Sequence, residues 1–346
     1  MNTSIKIQEN IPLAEFTTFK IGGNARFFVR AETEDEVVEA FNFANEHEFE
    51  LFVLGGGSNV LISDEGFDGL VLQIALRGIE FKENIVTAQA GEDWDEFVKI
   101  CVENNLQGVE ALSGIPGLIG GTPVQNVGAY GQEVSETITK VRVFDRKSQM
   151  ILELSNEECK FAYRTSIFNT TDLNRFIVLA VTFELFKDAK PKIVYKDLLE
   201  YFAGKRPNLT RTREAVLEIR RAKSMVIEEQ DENSRSAGSF FKNPFVENEK
   251  LAEISAKTGI INIPHFKIDD EKVKIPAAWL IENAGFSKGY KLGRAGISTK
   301  HTLAIVNSGD ATAKEIIILK NEIQAQVERK FAISLVPEPV FIGFKS

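Results

Sequence analysis

Leu51-Phe52-Val53-Leu54-Gly55-Gly56-Gly57-Ser58-Asn59-Val60-Leu61-Ile62 sets four apolar residues before three glycines and resumes an apolar run after Ser58-Asn59. The tetrad reads as a short buried strand and the glycines as the turn that leaves it. Without Cβ atoms in the way, backbone N–H groups approach a ligand closely, and consecutive inward N–H groups seat phosphate oxygens. For a Gly triplet in isolation, a tight strand-to-strand turn is the plainer reading.

The neighbouring chain raises the functional reading. Residues 26–30 predict a strand, and Thr33-Glu34-Asp35-Glu36 has the capping-box form that opens a helix through Val37, Val38, Phe41 and Ala44. The order is β-α-β with the glycine loop after the second strand. A Rossmann fingerprint follows the first strand and opens a helix, and a Walker loop ends in Gly-Lys-Ser/Thr, so both are excluded. Residues 69–90 predict short strands, and 93–104 an amphipathic helix with Trp94, Phe97, Val98 and Cys101 on one face. A second cluster follows: Ser113-Gly114-Ile115-Pro116-Gly117-Leu118-Ile119-Gly120-Gly121, then Gln125-Asn126-Val127-Gly128-Ala129-Tyr130-Gly131. Six glycines and no charge within 114–131 exceed what ordinary turns need. A small-residue helix start plus a hairpin is one explanation. The second wall of an extended cofactor site, with Gln125, Asn126 and Tyr130 as donors, is the favoured one.

Further on, 141–144 and 175–185 predict strands, and 187–208, polar and carrying Pro191 and Pro207, an excursion or lid. Residues 212–223 predict a helix, and the charged run 228–234 a domain boundary. Helices are expected over 247–257 with Gly259 at the end, over 276–284 between Pro276 and Gly285, and from the Thr312–Glu315 capping box to about Phe331. The tail 337–342 predicts a strand.

A chain of 346 residues predicts two or three domains. A net charge of −9 argues against nucleic acid or an anionic membrane as partner, while leaving room for an anionic small molecule in a basic pocket. Cys101 and Cys159 make no disulfide framework, and the scattered His47, His265 and His301 make no metal site. No apolar run approaches the ~20 residues of a membrane span. The opening Met1-Asn2-Thr3-Ser4-Ile5-Lys6 lacks a long apolar core, so no secretion signal is expected and the cytoplasm is the expected compartment.

Three segments are unusual for scaffold. Arg164 sits among aromatic and apolar residues in Phe161-Ala162-Tyr163-Arg164-Thr165-Ser166-Ile167-Phe168, where a snorkelling surface arginine is an equal alternative. Ser239 lies in Ser236-Ala237-Gly238-Ser239-Phe240-Phe241-Lys242-Asn243-Pro244, where a cap or turn serine is the usual role. No Gly-x-Ser-x-Gly elbow supports a hydrolase nucleophile. Glu338, bracketed by prolines, reads on its own as a solvated turn carboxylate.

Taken together, seven segments resemble the UDP-N-acetylenolpyruvoylglucosamine reductase (UDP-N-acetylmuramate dehydrogenase) family of peptidoglycan precursor synthesis. They are Phe16-Thr17-Thr18-Phe19-Lys20-Ile21-Gly22-Gly23, the first glycine loop, Ser113–Gly117, Gln125–Gly131, Tyr163-Arg164-Thr165-Ser166, Ala237–Pro244 and Pro337-Glu338. Each is weak alone; all seven in family order are specific.

The resemblance implies an α+β fold: a two-part FAD-binding region of the vanillyl-alcohol-oxidase-like (PCMH-type) class at 1–77 and 78–225, and a C-terminal α+β substrate domain at 226–346 whose last strand returns toward the FAD region. It implies non-covalent FAD, NADPH as co-substrate, and hydride delivery to the enolpyruvyl methylene carbon of a UDP-sugar. The FAD residues it implies are Gly55, Gly56, Gly57, Ser58, Asn59, Val60, Ser113, Gly114, Ile115, Pro116, Gly117, Gly121, Gln125, Asn126, Gly128, Ala129 and Tyr130. Tyr195, within 187–208, resembles the tyrosine that one subclass folds over the UDP moiety. Lys223 and Asn243 match diphosphate-binding positions, and Lys288 is a looser match. Hydride addition leaves negative charge at the adjacent carbon and its carboxylate, which must meet preorganised donors. By resemblance these are Arg164 and Glu338, with Glu338 protonated in the reacting complex, and Ser239 supplies the proton. Val336 departs from relatives with an acidic residue there, leaving Glu338 the one carboxylate of Pro337-Glu338-Pro339 and its approach. A monomer is expected, with no nucleic-acid or membrane partner.

Two other classes compete. A flavin oxidase or dehydrogenase of another sugar or hydroxy acid often tethers FAD through a histidine, but no histidine lies from Glu48 to Pro264, and His47 precedes the strand. A non-catalytic nucleotide-binding protein is opposed by the joint presence of Arg164, Ser239 and Glu338.

Overall fold

The computed structural model describes residues 5–344; residues 1–4, read above for a secretion signal, and 345–346 lie outside it. The described chain separates into two compact units, and both are discontinuous in sequence. The first comprises 5–11, Asn24–Gly57 and Phe67–Val226; the second comprises Pro12–Gly23, Ser58–Gly66 and 227–344.

In the first unit, the capping box at Thr33 forms as expected, with both reciprocal hydrogen bonds present, and the helix runs Glu34–Glu46. Its Val37, Ala40, Phe41 and Ala44 are buried, the 3.6-residue stripe that the sequence displays. The strand Leu51–Leu54 pairs in parallel with Phe67–Ile74, which pairs in parallel with Asn24–Ala31. The second sheet is antiparallel and five-stranded, in the order Met150–Ser155, Ile138–Asp145, Phe176–Glu184, Ile85–Gln89, Ile79–Lys82. Its central strand Phe176–Glu184 is apolar nearly throughout because it has partners on both edges and is covered on both faces. Helix Trp94–Glu103 packs Trp94 and Phe97 against Phe183 of that strand, and one apolar core serves both sheets. The excursion over 187–208 contains a short helix, Lys196–Phe202, and is followed by helix Leu209–Ala222.

The second unit has its own core. Helix Ala313–Phe331 contributes Ile316, Leu319, Ile323, Val327 and Phe331 to it and begins with the capping box Thr312–Glu315. Asp64 also accepts hydrogen bonds from the N–H groups of Ala313 (2.7 Å) and Lys314 (3.1 Å), placing a carboxylate at the positive end of the helix. The last strand, Val340–Ile342, pairs in parallel with Val60–Ile62. This division departs from three consecutive segments at 1–77, 78–225 and 226–346. The physical reason is burial: Phe19, Ile21 and Leu61 lie in the core of the second unit, so their segments belong with it.

Candidate functional site

The first glycine loop divides between the units, with Gly55–Gly57 in the first and Ser58–Val60 in the second. Within the first unit the two glycine walls touch. A Cβ on Gly56 would stand 2.8 Å from the Cα of Gly117, closer than real Cβ atoms come to backbone. Gly55 and Gly121, by contrast, would project a Cβ into open space, with no atom within 4 Å. Neither Gly55 nor Gly56 donates its N–H to a turn or loop carbonyl among the described residues. Two backbones in contact beside two bare glycine faces make a cradle that a side chain would fill, and this fits a diphosphate-bearing cofactor such as FAD.

The second wall is fastened from behind. Gly117 O accepts from the Trp94 N–H (3.1 Å), the Ile119 N–H donates to Glu92 O (2.9 Å), and the Gly120 N–H donates to Ala90 O (2.9 Å). Ser113 is fully buried and its hydroxyl donates to Glu110 O at 2.7 Å, so it secures the turn. The Gly114 N–H donates to Asp95 Oδ1 (2.5 Å), and Asp95 is held in a two-pronged pair by Arg213 at 2.6 and 2.8 Å. Burial works to raise the Asp95 pKa, but hydrogen bonds from Arg213 and from the Gly114 N–H outweigh it and hold the carboxyl below its ordinary value.

At the far end of this wall, Gly128–Ala129 and Gln132–Glu133 form a hairpin whose two-residue tip is Tyr130-Gly131. Both tip residues have positive φ, 49° and 85°, which suits the twist of a two-residue hairpin but strains a tyrosine. Arg164 (φ 54°) and Asn126 (φ 45°) share that conformation. Three strained non-glycine residues on one wall mark a place where position matters more than local comfort. Arg164 occupies the tip of the Ala162–Thr165 turn, and its Nη2 donates to Gly128 O at 2.6 Å. Asn126 is buried, and its amide donates to Glu133 (2.8 Å) and Ala162 O (3.1 Å) and accepts from the Ser135 N–H (3.1 Å). Its side chain is thus a brace between the hairpin and the Arg164 turn.

Tyr195 stands at the N-terminus of helix Lys196–Phe202, its ring edge-on to Tyr130 at 5.4 Å. Burial pushes the Tyr130 phenol up to about 12, partly opposed by the Arg220 cation that hydrogen-bonds it. Lys223, the C-cap residue that follows helix Leu209–Ala222, puts Nζ 2.5 Å from Asp197 Oδ2.

In the second unit, Phe241 and Pro337 form an antiparallel bridge, the Glu338 N–H donates to Phe240 O (2.9 Å), and the Lys242 N–H donates to Val336 O (2.9 Å). This pairing sets Ser239 and Glu338 one residue from opposite each other, 99 positions apart in sequence. Asn59 closes the arrangement: its Nδ2 donates to Glu338 O (3.3 Å) and its carbonyl accepts from the Val340 N–H (3.0 Å). Asn243 Oδ1 accepts from the Ala277 N–H (2.8 Å), capping helix Ala277–Asn283 and leaving Nδ2 as its donor group. Lys288 lies exposed between that helix and Lys291–Leu292.

The first unit therefore gathers Arg164, Tyr130, Tyr195 and Lys223 around the second wall, and the second gathers Ser239, Glu338 and Asn59. Asp95, Asp197, Arg213 and Arg220 were not singled out from sequence. Arg220 is buried with its Nε unpaired, and nothing in an amphipathic helical pattern distinguishes such an arginine from a surface one. Asp197 carried a usable signal, an acid two residues past the tyrosine within an otherwise basic stretch. Among the described residues no cluster of three or more His, Cys, Asp or Glu is arranged to hold a metal ion.

Comparison with known proteins finds two families matched along the chain. Residues 230–342 match the family described as UDP-N-acetylenolpyruvoylglucosamine reductase, C-terminal domain, and residues 25–154 match the FAD binding domain family. The UDP-N-acetylenolpyruvoylglucosamine reductase of Thermobifida fusca is 44% identical, covering 96% of this chain and 97% of its own. That of Streptomyces coelicolor is also 44% identical, over 96% of this chain and 89% of its own. The crystal structure of the Thermus caldophilus UDP-N-acetylenolpyruvylglucosamine reductase superposes with a TM-score of 0.67 at 25% identity, covering 98% of both chains. With such relatedness along nearly its whole length, the chain belongs to the UDP-N-acetylenolpyruvoylglucosamine reductase family.

Proposed function

We propose that the protein is an FAD-containing oxidoreductase that reduces UDP-N-acetylglucosamine enolpyruvate to UDP-N-acetylmuramate, a step of peptidoglycan precursor synthesis, with NADPH as reductant. The observation that carries this reading is 44% identity over 96% of the chain. The cofactor region is proposed to follow the vanillyl-alcohol-oxidase-like class in two parts, within 1–77 and 78–225, with substrate bound mainly by 226–346, although 12–23 and 58–66 pack with the C-terminal unit.

The backbones of Gly55–Gly57, Ser113–Gly117 and Gly121, with Ser58, Asn59, Val60, Gln125, Asn126, Gly128, Ala129 and Tyr130, hold the cofactor. Bound there, FAD supplies hydride transfer from NADPH to the enolpyruvyl methylene carbon. Arg164, already oriented by its bond to Gly128 O, meets the negative charge that develops on the adjacent carbon and its carboxylate. Glu338, protonated in the reacting complex, donates a hydrogen bond to the same charge, and Ser239 gives the proton that quenches it. Lys223, Asn243 and Lys288 bind the diphosphate, and Tyr195 covers the uridine end. The protein acts as a cytoplasmic monomer.

The test is spectroscopic. Purified protein is expected to be yellow, to bleach with NADPH, and to regain colour with UDP-N-acetylglucosamine enolpyruvate but not with unrelated sugars. Ser239→Ala is expected to bleach at nearly the wild-type rate and to stall in recolouring. Colourless protein that FAD does not reconstitute overturns the flavoenzyme reading; recolouring by an unrelated sugar overturns the substrate.

A further inference from the structure

We infer that Asp197 is a built-in anion that occupies Lys223 until a diphosphate displaces it, which makes Asp197 a specificity-determining residue and ties release of the Tyr195 strap to phosphate binding. The inference rests on the assignment of Lys223 to the diphosphate proposed above and adds to it what Lys223 does beforehand.

Four observations within the first unit carry it. Lys223 Nζ lies 2.5 Å from Asp197 Oδ2, and both side chains keep partial solvent access, 40% and 29%, so an incoming ligand reaches the pair. Asp197 is the second residue of helix Lys196–Phe202, whose N-terminal flank is Tyr195 itself, so whatever holds Asp197 also holds the tyrosine. The strap lies on the hairpin tip: the Tyr195 ring meets Tyr130 edge-on, and Val194 Cγ2 sits 2.5 Å from where a Cβ on Gly131 would be. That approach, together with a φ of +85°, strains any residue other than glycine at Gly131. Last, Leu198 and Phe202 are buried against Val216 and Ala215, with Ile193, Tyr130 and Ile219 alongside, so the helix has a seat of its own; the ion pair and the Tyr201 hydroxyl, which donates to Glu218 Oε2 (2.6 Å), are polar fastenings on it.

Lys223 is a point charge at a helix C-terminus, where the helix dipole favours a cation, and it exchanges partners without reorienting a planar fork. A diphosphate offers more negative charge than one carboxylate. Once it occupies Lys223, Asp197 faces a like charge and loses the Lys223 cation, and the strap is left on its apolar seat and the Tyr201–Glu218 hydrogen bond. A ligand lacking phosphates gains nothing at Lys223 and leaves the fastening closed. In the wild type, ligand affinity is reduced by the fraction of Lys223 engaged with Asp197.

The experiment is calorimetric titration of the FAD-loaded protein with UDP and, separately, with uridine. Asp197→Asn is expected to bind UDP about fivefold more tightly than wild type, the scale of a partly exposed ion pair, with uridine affinity unchanged. Asp197→Ser carries the same expectation should the asparagine variant lose flavin. In a Lys223→Gln background UDP binding weakens, and the gain from Asp197→Asn is expected to vanish. Weaker or unchanged UDP binding by the Asp197 variants overturns the inference, assigning Asp197 a role in anchoring the strap. A gain that survives Lys223→Gln overturns it as well, since Asp197 would then act by general repulsion. Wild-type protein that binds no UDP at all overturns the substrate reading and this inference together, whereas intact wild-type binding with a failed gain overturns this inference alone.

Discussion

Gly55 and Gly56 are neighbours of the same type, yet a methyl group means different things at each. At Gly56 it strikes the Gly117 backbone at 2.8 Å, so the two walls must separate. Overpacking of this kind costs about 1–3 kcal/mol, and backbone yields less readily than a side-chain tip. At Gly55 it meets nothing within 4 Å. Gly56→Ala is therefore expected to lower the Tm of the flavin-free protein, while Gly55→Ala leaves that Tm within a degree or two and still reduces the flavin-to-protein ratio. Thermal scans of apo protein and absorbance of the reconstituted protein check both. Equal flavin retention by Gly55→Ala and wild type would remove Gly55 from the cofactor's seat. The glycine clusters were legible in sequence because glycine density is a local signal. The left-handed backbones of Tyr130, Arg164 and Asn126 were not, since tyrosine and arginine do not announce a positive φ and asparagine's tolerance of one does not single out Asn126. They are imposed by the hairpin tip, by the Ala162–Thr165 turn and by the bonds that Asn126 makes to three segments.

Helices were readable wherever their ends were written locally. The capping boxes at Thr33 and Thr312 form with both reciprocal bonds, and the stripe of Ile316, Leu319, Ile323, Val327 and Phe331 faces the core. Helix Leu209–Ala222 begins earlier than the apolar pattern predicts because Asn208 caps it through the Arg211 N–H at 2.8 Å. What the pattern did not disclose is that Arg213 of this helix crosses to Asp95 of helix Trp94–Glu103, 118 residues away, and that the pair holds the Gly114 N–H. Two helices and the second glycine wall thus share one carboxylate. Because hydrogen bonds to the charged form outweigh burial, the folded pKa of Asp95 lies below its unfolded value of about 3.9. A lowered pKa contributes stability that is fully present above the unfolded value and is lost as pH falls through the folded one. Asp95→Asn is expected to destabilise the protein by about 1–3 kcal/mol at neutral pH, given a pair that is only partly buried. In urea unfolding from pH 7 to pH 3, that gap should stay level down to about pH 4 and narrow below it. A gap that widens with acid contradicts the assignment.

At the scale of the whole molecule, the C-terminal unit is not a C-terminal segment. Residues 227–344 leave Phe19, Ile21 and Leu61, buried at 0%, 3% and 0% exposure, to be supplied from Pro12–Gly23 and Ser58–Gly66. Those segments also bring Asp64 to the start of helix Ala313–Phe331, the strand Val60–Ile62 to Val340–Ile342, and the Phe19 carbonyl to the buried Asn307 amide at 3.0 Å. A charged run at 228–234 resembles a linker in sequence, but a linker signal cannot report which distant side chains fill a core. Full burial of a large apolar side chain contributes about 1.5–3 kcal/mol, so the three together contribute roughly 5–9 kcal/mol. That is comparable with the total stability of about 5–15 kcal/mol expected of a single domain. A fragment beginning at Ile227 and running to the end of the chain is therefore expected to lack a cooperative unfolding transition. Near-ultraviolet circular dichroism through a thermal scan is the measurement, with Trp279 and the fragment's tyrosine and phenylalanine rings as reporters. Joining 12–23 and 58–66 to the fragment through short glycine-serine linkers is expected to restore a cooperative melt. A sharp melt from the unaided fragment would show that its own helices and strands suffice, and that the two N-terminal segments merely lie on a core already complete.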